Sequence, residues 1–233
     1  MHPRNIFKNG VKFEELALKY DFFKPFVVQE KTNKFGVDFE DREAILALNK
    51  ALLQEYYNLD VDIPRNFLIP RIPLRVNYVL WIEDLLKEFP ADSEGKDTVR
   101  GLDIGTGPCA IYALLCARMN SWVMYGTDIN EDSVKLAIAN VKKNNLEDNV
   151  KIHTVSSESF FKEIFEVSSH TFDFCMCNPP FFSDTKDLLV RQDHLRPSWE
   201  AKSKVHEEII CTGGEVNFVW KMINESKIHP VVR

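Results

Sequence analysis

Apolar residues along this chain form two alternating kinds of pattern. Apolar runs at 122–127 and 174–177 are typical of buried strands, and strands are predicted at 100–104, 122–128, 151–155 and 172–178. Apolar residues at helical spacing predict helices at 110–119, 130–144, 157–165 and 215–226. Because strands and helices alternate, the sequence predicts an α/β fold with a parallel sheet and helices on both faces.

The first 70 residues follow a different pattern. Residues 1–38 are expected to be irregular, with a short helical patch at 13–20, and a longer helix is predicted at 42–57. The segment 63–73 contains three prolines and cannot form a single helix. A further helix, predicted at 77–89, leads into the alternating part of the chain. We therefore divide the chain into a front portion, 1–70, and a core, 71–233.

Composition limits the class of protein. The 233 residues are 45% hydrophobic, which excludes a disordered chain and suits one sizeable α/β core. No apolar run approaches the roughly 20 residues of a membrane span, and residues 1–10 lack the apolar stretch of a signal peptide. The five cysteines are expected to be reduced, and none shares zinc-ligand spacing with a histidine, so no metal site is predicted.

The tetrapeptide Asn178-Pro179-Pro180-Phe181 is the strongest chemical signal. It follows the apolar run 174–177, and its prolines fix the backbone and leave carbonyls free to accept hydrogen bonds. The Asn178 oxygen and the Pro179 carbonyl could each accept one N–H of an exocyclic amine, while Phe181 offers a flat face for stacking. This arrangement suits a planar amine such as adenine N6. A strand that simply ends in a turn would also explain it.

A glycine-rich turn lies upstream, at Gly105-Thr106-Gly107, between the predicted strand 100–104 and the helix 110–119. Strand, glycine turn and helix form the arrangement that binds nucleotide-like cofactors, because glycine lets the backbone approach a ligand closely. Asp128 ends the next predicted strand, where an acidic residue can bind a ribose diol. Alternatively, Asp128 could cap the following helix.

The ligand of such a crevice could be a dinucleotide or S-adenosylmethionine. Pro108 follows Gly107, so the loop departs from the full glycine pattern that holds a pyrophosphate. The Asn-Pro-Pro-Phe element follows a later strand and is expected beside the same crevice. Both observations favour S-adenosylmethionine.

These motifs, together with the segment 72–78 (Ile-Pro-Leu-Arg-Val-Asn-Tyr), resemble the methyltransferase-like protein 16 family over residues 4–226. The resemblance implies a Rossmann-like class I methyltransferase that uses S-adenosylmethionine. Members methylate adenine N6 in U6 small nuclear RNA and in hairpins of S-adenosylmethionine synthetase messages, and a bacterial branch modifies large-subunit ribosomal RNA. The complete fold has further strands after residue 226, so this chain is expected to lack the last strands of the sheet.

The resemblance also implies roles for individual residues. Those expected to bind the cofactor are Arg75, Gly105, Thr106, Gly107, Cys109, Asp128, Ser159 and Asn178. Within this set, Arg75 should pair with the methionine carboxylate and Ser159 should border the adenine ring, a position for which Glu158 competes. The catalytic set is Asn178, Pro179, Pro180 and Phe181.

Charge adds an expectation about partners. The net charge of −6 argues against binding nucleic acid through bulk charge. Residues 1–12 nevertheless carry Arg4, Lys8 and Lys12 and no acid, and they match an RNA-contacting arm, although Ile6 replaces a basic residue there. The segment 183–204 contains both basic and acidic residues and is predicted to be a loop. The resemblance implies a monomer that binds structured RNA, without a membrane partner. The expected location is the nucleus, with the cytoplasm as a second location.

Three other functions remain open at this stage. A glutamine methyltransferase of a release factor also uses Asn-Pro-Pro followed by an aromatic residue, usually tyrosine where this chain has Phe181. A ribosomal RNA methyltransferase of the bacterial branch is the second alternative, and eukaryotic or bacterial origin would decide it. A truncated form could retain the site and bind RNA without turnover.

Overall fold

The computed structural model describes residues 1–29, 34–89, 98–157, 159–167, 171–185, 187 and 209–228. The helices are α1 (Phe13–Lys19), α2 (Arg42–Tyr57), α3 (Ile72–Glu88), α4 (Ile111–Asn120), α5 (Glu131–Lys143), α6 (Lys162–Val167) and α7 (Gly214–Ile228). The strands are β1 (Val27–Gln29), β2 (Phe35–Val37), β3 (Arg100–Ile104), β4 (Val123–Asp128), β5 (Val150–Thr154) and β6 (Phe174–Cys177).

The central sheet has the order β5-β4-β3-β6, and all three pairings within it are parallel. Ile104 lies opposite Thr127 on one side and Cys177 on the other, so β3, β4 and β6 end in line. The loops that follow these strands therefore meet along one edge of the sheet. The predicted parallel α/β fold is confirmed.

Helices cover both faces of this sheet. Met124 and Met176 face a large cluster that contains buried residues of α2, α3 and α4. Tyr125, the neighbour of Met124 along β4, faces a second cluster with α6 and Phe218 of α7. Since consecutive strand residues point to opposite faces, these two clusters lie on opposite sides of the sheet.

The cysteines of β6 fit this alternation. Cys175 and Cys177 both pack against the second cluster, as expected for positions two apart on a strand. All five cysteines are free thiols in the structure.

The front portion packs onto the same core. Phe7, Leu16 and Leu52 belong to the large cluster that also contains Val76 and Tyr112, so residues on both sides of position 70 share one apolar interior. The predicted boundary at residue 70 stays a prediction. Within the described residues, no helix is long and apolar enough to cross a membrane.

Three features of the fold differ from the sequence prediction. The region expected to be irregular contains the antiparallel pair β1–β2. Helix α3 begins at Ile72 rather than at 77, because Pro73 occupies the first turn, where a missing N–H costs nothing. Helix α6 begins at Lys162, five residues later than predicted.

Candidate active site

The loops at the carboxyl ends of the four parallel strands surround a cavity of about 1040 Å³. The predicted site residues that line it are Arg75, Gly105, Thr106, Gly107, Cys109, Asp128, Ser159, Asn178 and Pro180. Pro179 and Phe181 flank Pro180 in the chain but are not among the lining residues. Glu158 lies outside the described residues. The fold thus brings all eight predicted cofactor-binding residues to one cavity.

The glycine turn is fixed by backbone hydrogen bonds to the neighbouring strand. The amides of Gly105 and Thr106 both donate to the Thr127 carbonyl at 2.9 Å. Gly105 and Gly107 have φ values of +70° and +65°, a region that side chains disfavour. A Cβ added at Gly105 would meet no protein atom within 4 Å, so glycine at this position leaves space on the cavity side of the turn.

Asp128 is held by the same turn. Its Oδ2 accepts a hydrogen bond from the Gly107 amide at 2.9 Å, and its Oδ1 accepts one from the Asn130 amide at 2.9 Å. The cap of α5 is Asn130, whose side-chain oxygen accepts from the amides of Asp132 and Ser133. The alternative of Asp128 as the helix cap is therefore wrong, and the carboxylate is instead oriented at the cavity wall.

Gly126 is a third glycine on which the site depends, and the sequence motifs did not indicate it. A Cβ there would lie 2.7 Å from Ile152 Cδ1 and 3.0 Å from Thr106 Oγ1. These distances are shorter than ordinary van der Waals contacts, so Gly126 allows Thr106 to pack closely against β4. The signal in the sequence was a glycine inside an otherwise apolar strand.

A buried aspartate holds the glycine turn through a hydrogen bond. Asp103 of β3 is 1% exposed, and its Oδ2 accepts a hydrogen bond from Thr106 Oγ1 at 2.6 Å. Burial raises the pKa of Asp103 to about 7, an effect that the Thr106 hydrogen bond and the charge of Arg75 oppose. A carboxylate inside an apolar strand is uncommon, and this was the signal that could have identified the residue.

The raised pKa predicts a pH-dependent effect of Asp103→Asn on stability. The folded protein holds a proton that the unfolded chain releases between roughly pH 4 and 7, so wild-type stability falls as the pH rises through that window. A pKa of about 7 instead of 3.8 corresponds to about 4 kcal/mol at most, and we expect about 2 kcal/mol after relaxation of the site. The melting temperature of the variant, relative to wild type, should therefore rise by roughly 4–8 °C between pH 5 and pH 8.

Thermal unfolding at the two pH values would check this expectation. Asp148→Asn is the matched control, because Asp148 is exposed and lies beside the amino end of β5, away from the cavity. A constant difference between Asp103→Asn and wild type across the pH range would contradict the assigned titration.

Arg75 connects the cofactor side of the cavity to the Asn-Pro-Pro-Phe segment. It lies in the first turns of α3, and the residue is buried at 8% exposure. Its Nη1 donates hydrogen bonds of 2.6 Å to Tyr112 Oη and to Asn178 Oδ1. The guanidinium also lies 5.1 Å from the centre of the Tyr112 ring. Sequence analysis predicted neither Tyr112 nor the direct contact between Arg75 and Asn178.

The end of the Asn-Pro-Pro-Phe segment is anchored by the residue that follows it. The Phe182 amide donates to the Ile209 carbonyl at 2.9 Å, and the Cys211 amide donates to the Phe182 carbonyl at 2.9 Å. The Phe182 side chain is buried at 7% exposure. The segment is therefore fixed at one end by β6 and at the other by the chain that enters α7.

The basic residues of the front portion lie apart from this cavity. Arg4 forms ion pairs with Glu83 and Asp84 of α3, and Lys8 Nζ donates to the Pro3 carbonyl at 2.8 Å. Lys12 pairs with Glu15 at 2.7 Å. Each of these predicted RNA contacts thus already has a partner within the chain, and their role in RNA binding stays a prediction.

Comparison with known proteins identifies the family. A family model described as RNA methyltransferase matches residues 1–230. The chain belongs to this RNA methyltransferase family. One member, the U6 small nuclear RNA (adenine-(43)-N(6))-methyltransferase of Drosophila pseudoobscura pseudoobscura, is 39% identical over 237 aligned residues, which cover 98% of this chain and 76% of the relative.

Two solved structures of the human METTL16 domain have the same fold. The catalytic domain in complex with MAT2A 3′UTR hairpin 6 has a TM-score of 0.86 at 36% identity, covering 100% of this chain and 80% of that one. The N-terminal domain in complex with SAH has a TM-score of 0.80 at 36% identity, covering 100% of this chain and 81% of that one. Both the predicted fold class and the predicted family are confirmed.

Proposed function

We propose that this RNA methyltransferase family member transfers a methyl group from S-adenosylmethionine to the N6 amine of an adenine in structured RNA. The position of Asn178 carries the proposal. Its amide follows β6, directly beside the glycine turn that follows β3, and it lines the same cavity. A relative named for adenine N6 methylation supports the choice of the target atom.

The residues around the cavity suit the methionine carboxylate and the ribose of S-adenosylmethionine. The guanidinium of Arg75 matches a carboxylate, and the carboxylate of Asp128 matches a ribose diol. The turn at Gly105 leaves open space in which a ligand can approach the backbone. When bound, S-adenosylmethionine supplies a methyl group already activated by the positive sulfonium. The SAH complex of the human neighbour supports this cofactor.

The task of the protein is then to position a weak nucleophile. The lone pair of the adenine amine is delocalised into the ring, so the amine must be oriented and its developing charge stabilised. Asn178 Oδ1 can accept one amine hydrogen while it still accepts from Arg75, because a carbonyl oxygen has two lone pairs. The Pro179 carbonyl would accept the second hydrogen, and Phe181 would stack on the base.

The geometry has a consequence for the RNA. A base inside a duplex cannot reach a cavity at the edge of a sheet, so the target adenine has to be unstacked, as in a bulge or loop. A U6-like RNA or an mRNA hairpin is the proposed substrate, and the human neighbour was solved with a hairpin. We propose that Arg4, Lys8 and Lys12 contact its phosphates, and that the protein acts as a monomer in the nucleus.

A methyl-transfer assay with radiolabelled S-adenosylmethionine tests the function. The substrates are an RNA hairpin with an unpaired adenine, the same hairpin with guanine at that position, and a glutamine-bearing release factor. We expect label only in the first RNA, recovered as N6-methyladenosine after digestion. Label in the release factor would move the assignment to glutamine methylation. Cofactor binding without label in any substrate would indicate a non-catalytic form.

A further inference from the structure

A single carboxylate on α7 organises the loop between β5 and α6. Glu225 Oε2 accepts a hydrogen bond from the Phe160 amide at 2.8 Å. Its Oε1 accepts bonds from Ser159 Oγ at 2.8 Å, from the Phe161 amide at 2.9 Å and from the Lys162 amide at 3.1 Å. Four donors from four consecutive residues thus converge on one side chain about 65 positions away.

This arrangement explains where α6 begins. The first amides of a helix have no partner within the helix, and they are usually satisfied by a side chain just before it. Here the amides that lead into α6 donate to Glu225, which belongs to a different helix, and the Lys162 amide also donates to Ser159 Oγ at 3.0 Å. Burial by itself would raise the pKa of this carboxyl, yet the hydrogen bonds from the loop lower it below its usual range. The loop therefore stabilises a charged carboxylate.

The loop in question faces the part of the cavity that is farthest from Asn178. Along the strand order β5-β4-β3-β6, Asn178 follows β6, the glycine turn follows β3, Asp128 ends β4 and the loop 156–162 follows β5. A cofactor with its methionine end at β3 and its ribose at Asp128 has its base one strand further along, at this loop. Ser159, Phe160, Lys162 and Glu225 all line that end of the cavity.

Helix α7 also contacts the chain that follows the Asn-Pro-Pro-Phe segment. Gly214, its first residue, lies so close to Ser183 that an added Cβ would be 3.5 Å from the Ser183 amide. Glu225 comes eleven residues later, about 16 Å along the helix. Between them Phe218 packs edge-to-face on Phe160, with ring centres 4.9 Å apart. One helix therefore joins the chain after the Asn-Pro-Pro-Phe segment to the loop after β5.

We infer that Glu225 is a positioning residue for cofactor binding: it holds the loop 159–162 in the conformation that borders the adenine of the cofactor. The inference rests on the proposed function only in taking S-adenosylmethionine as the cofactor. Glu225 acts through the loop, so its loss affects the affinity for the cofactor more than the rate of methyl transfer once the cofactor is bound.

The test compares Glu225→Gln with Glu215→Gln, an exposed glutamate on the same helix with no contact to the loop. Calorimetry with S-adenosylhomocysteine as the probe should show about 10-fold weaker binding for Glu225→Gln and no change for Glu215→Gln. Hydrogen exchange should show faster exchange of the amides of residues 160–162 in Glu225→Gln alone. In the RNA assay, KM for S-adenosylmethionine should rise by a similar factor while kcat stays within about twofold.

The possible results distinguish a positioning role of Glu225 from a general loss of stability and from a failure of the proposed function. Binding and exchange that match wild type would overturn the inference, as would a lower kcat with unchanged KM for the cofactor. If Glu225→Gln does not fold, Ser159→Ala, which removes one donor to the carboxylate, should still weaken S-adenosylhomocysteine binding, and unchanged binding would overturn the inference. Because calorimetry and exchange need no RNA, a protein that does not methylate RNA would leave them interpretable.

Discussion

Replacement of Asn178 by alanine is expected to lower kcat for RNA methylation by about 10³-fold while the affinity for S-adenosylhomocysteine changes by no more than about threefold. The side-chain oxygen is an acceptor held in place by Arg75 at 2.6 Å, and it lies where the amine has to be oriented. Alanine removes that acceptor and introduces no new charge. Single-turnover rates with saturating cofactor and RNA, together with calorimetry, would measure the two effects separately.

Asn149→Ala is the matched control for this experiment. Asn149 precedes β5 at the amino ends of the strands, opposite the cavity, and its side chain makes one long hydrogen bond of 3.5 Å to the Ser121 carbonyl. Both kcat and cofactor affinity should be unchanged in this variant. A kcat of Asn178→Ala near that of wild type would remove Asn178 from the chemistry, and a collapse of cofactor binding would give it a structural role in the cofactor site instead.

Much of the core could be predicted because its elements are defined by local pattern. A strand of a parallel sheet is buried on both faces, and the apolar runs at 122–127 and 174–177 correspond to β4 and β6. Residues 100–104 were predicted as a strand and form β3 with the same bounds, and 42–57 match α2 equally well. The site residues that end these strands were predictable too, since a parallel sheet brings its carboxyl ends to one edge.

Contacts between distant residues could not be predicted in this way. Arg75 and Asn178 are 103 positions apart, and their hydrogen bond depends on how α3 packs against β6. The start of α6 was predicted too early because Glu225, from another helix, accepts hydrogen bonds from the amides of Phe161 and Lys162 just before and at its start. Local pattern predicts elements and loops, but it carries no information on which side chain from elsewhere completes them.

Substitution of Arg75 by lysine is expected to impair both cofactor binding and catalysis. The guanidinium donates to Tyr112 and to Asn178 at the same time, and the planar fork is also the group suited to a carboxylate. Lysine keeps the charge but cannot reproduce this geometry. We expect about 30-fold weaker binding of S-adenosylhomocysteine and, at saturating cofactor, about a 10-fold lower kcat. Calorimetry and single-turnover kinetics would measure these effects.

Two further variants test whether these effects are specific to Arg75 and its hydrogen bonds. Arg118→Lys is the matched control, because Arg118 lies in the last turn of α4, where it donates to the Asn144 carbonyl at 3.2 Å. It should change neither parameter. Tyr112→Phe removes one acceptor of Arg75 and keeps the ring, so its effects should be smaller than those of Arg75→Lys.

The link between Arg75 and Asn178 can be measured with the double variant. If Arg75 affects the rate by holding Asn178 Oδ1, its effect on kcat should disappear once Asn178 is alanine, while its effect on cofactor affinity should persist. Fully additive losses in kcat would mean that Arg75 acts on the reaction independently of Asn178. In the expected case, one buried guanidinium both recognises the cofactor and orients the amide that receives the adenine, which couples cofactor binding to the placement of the substrate.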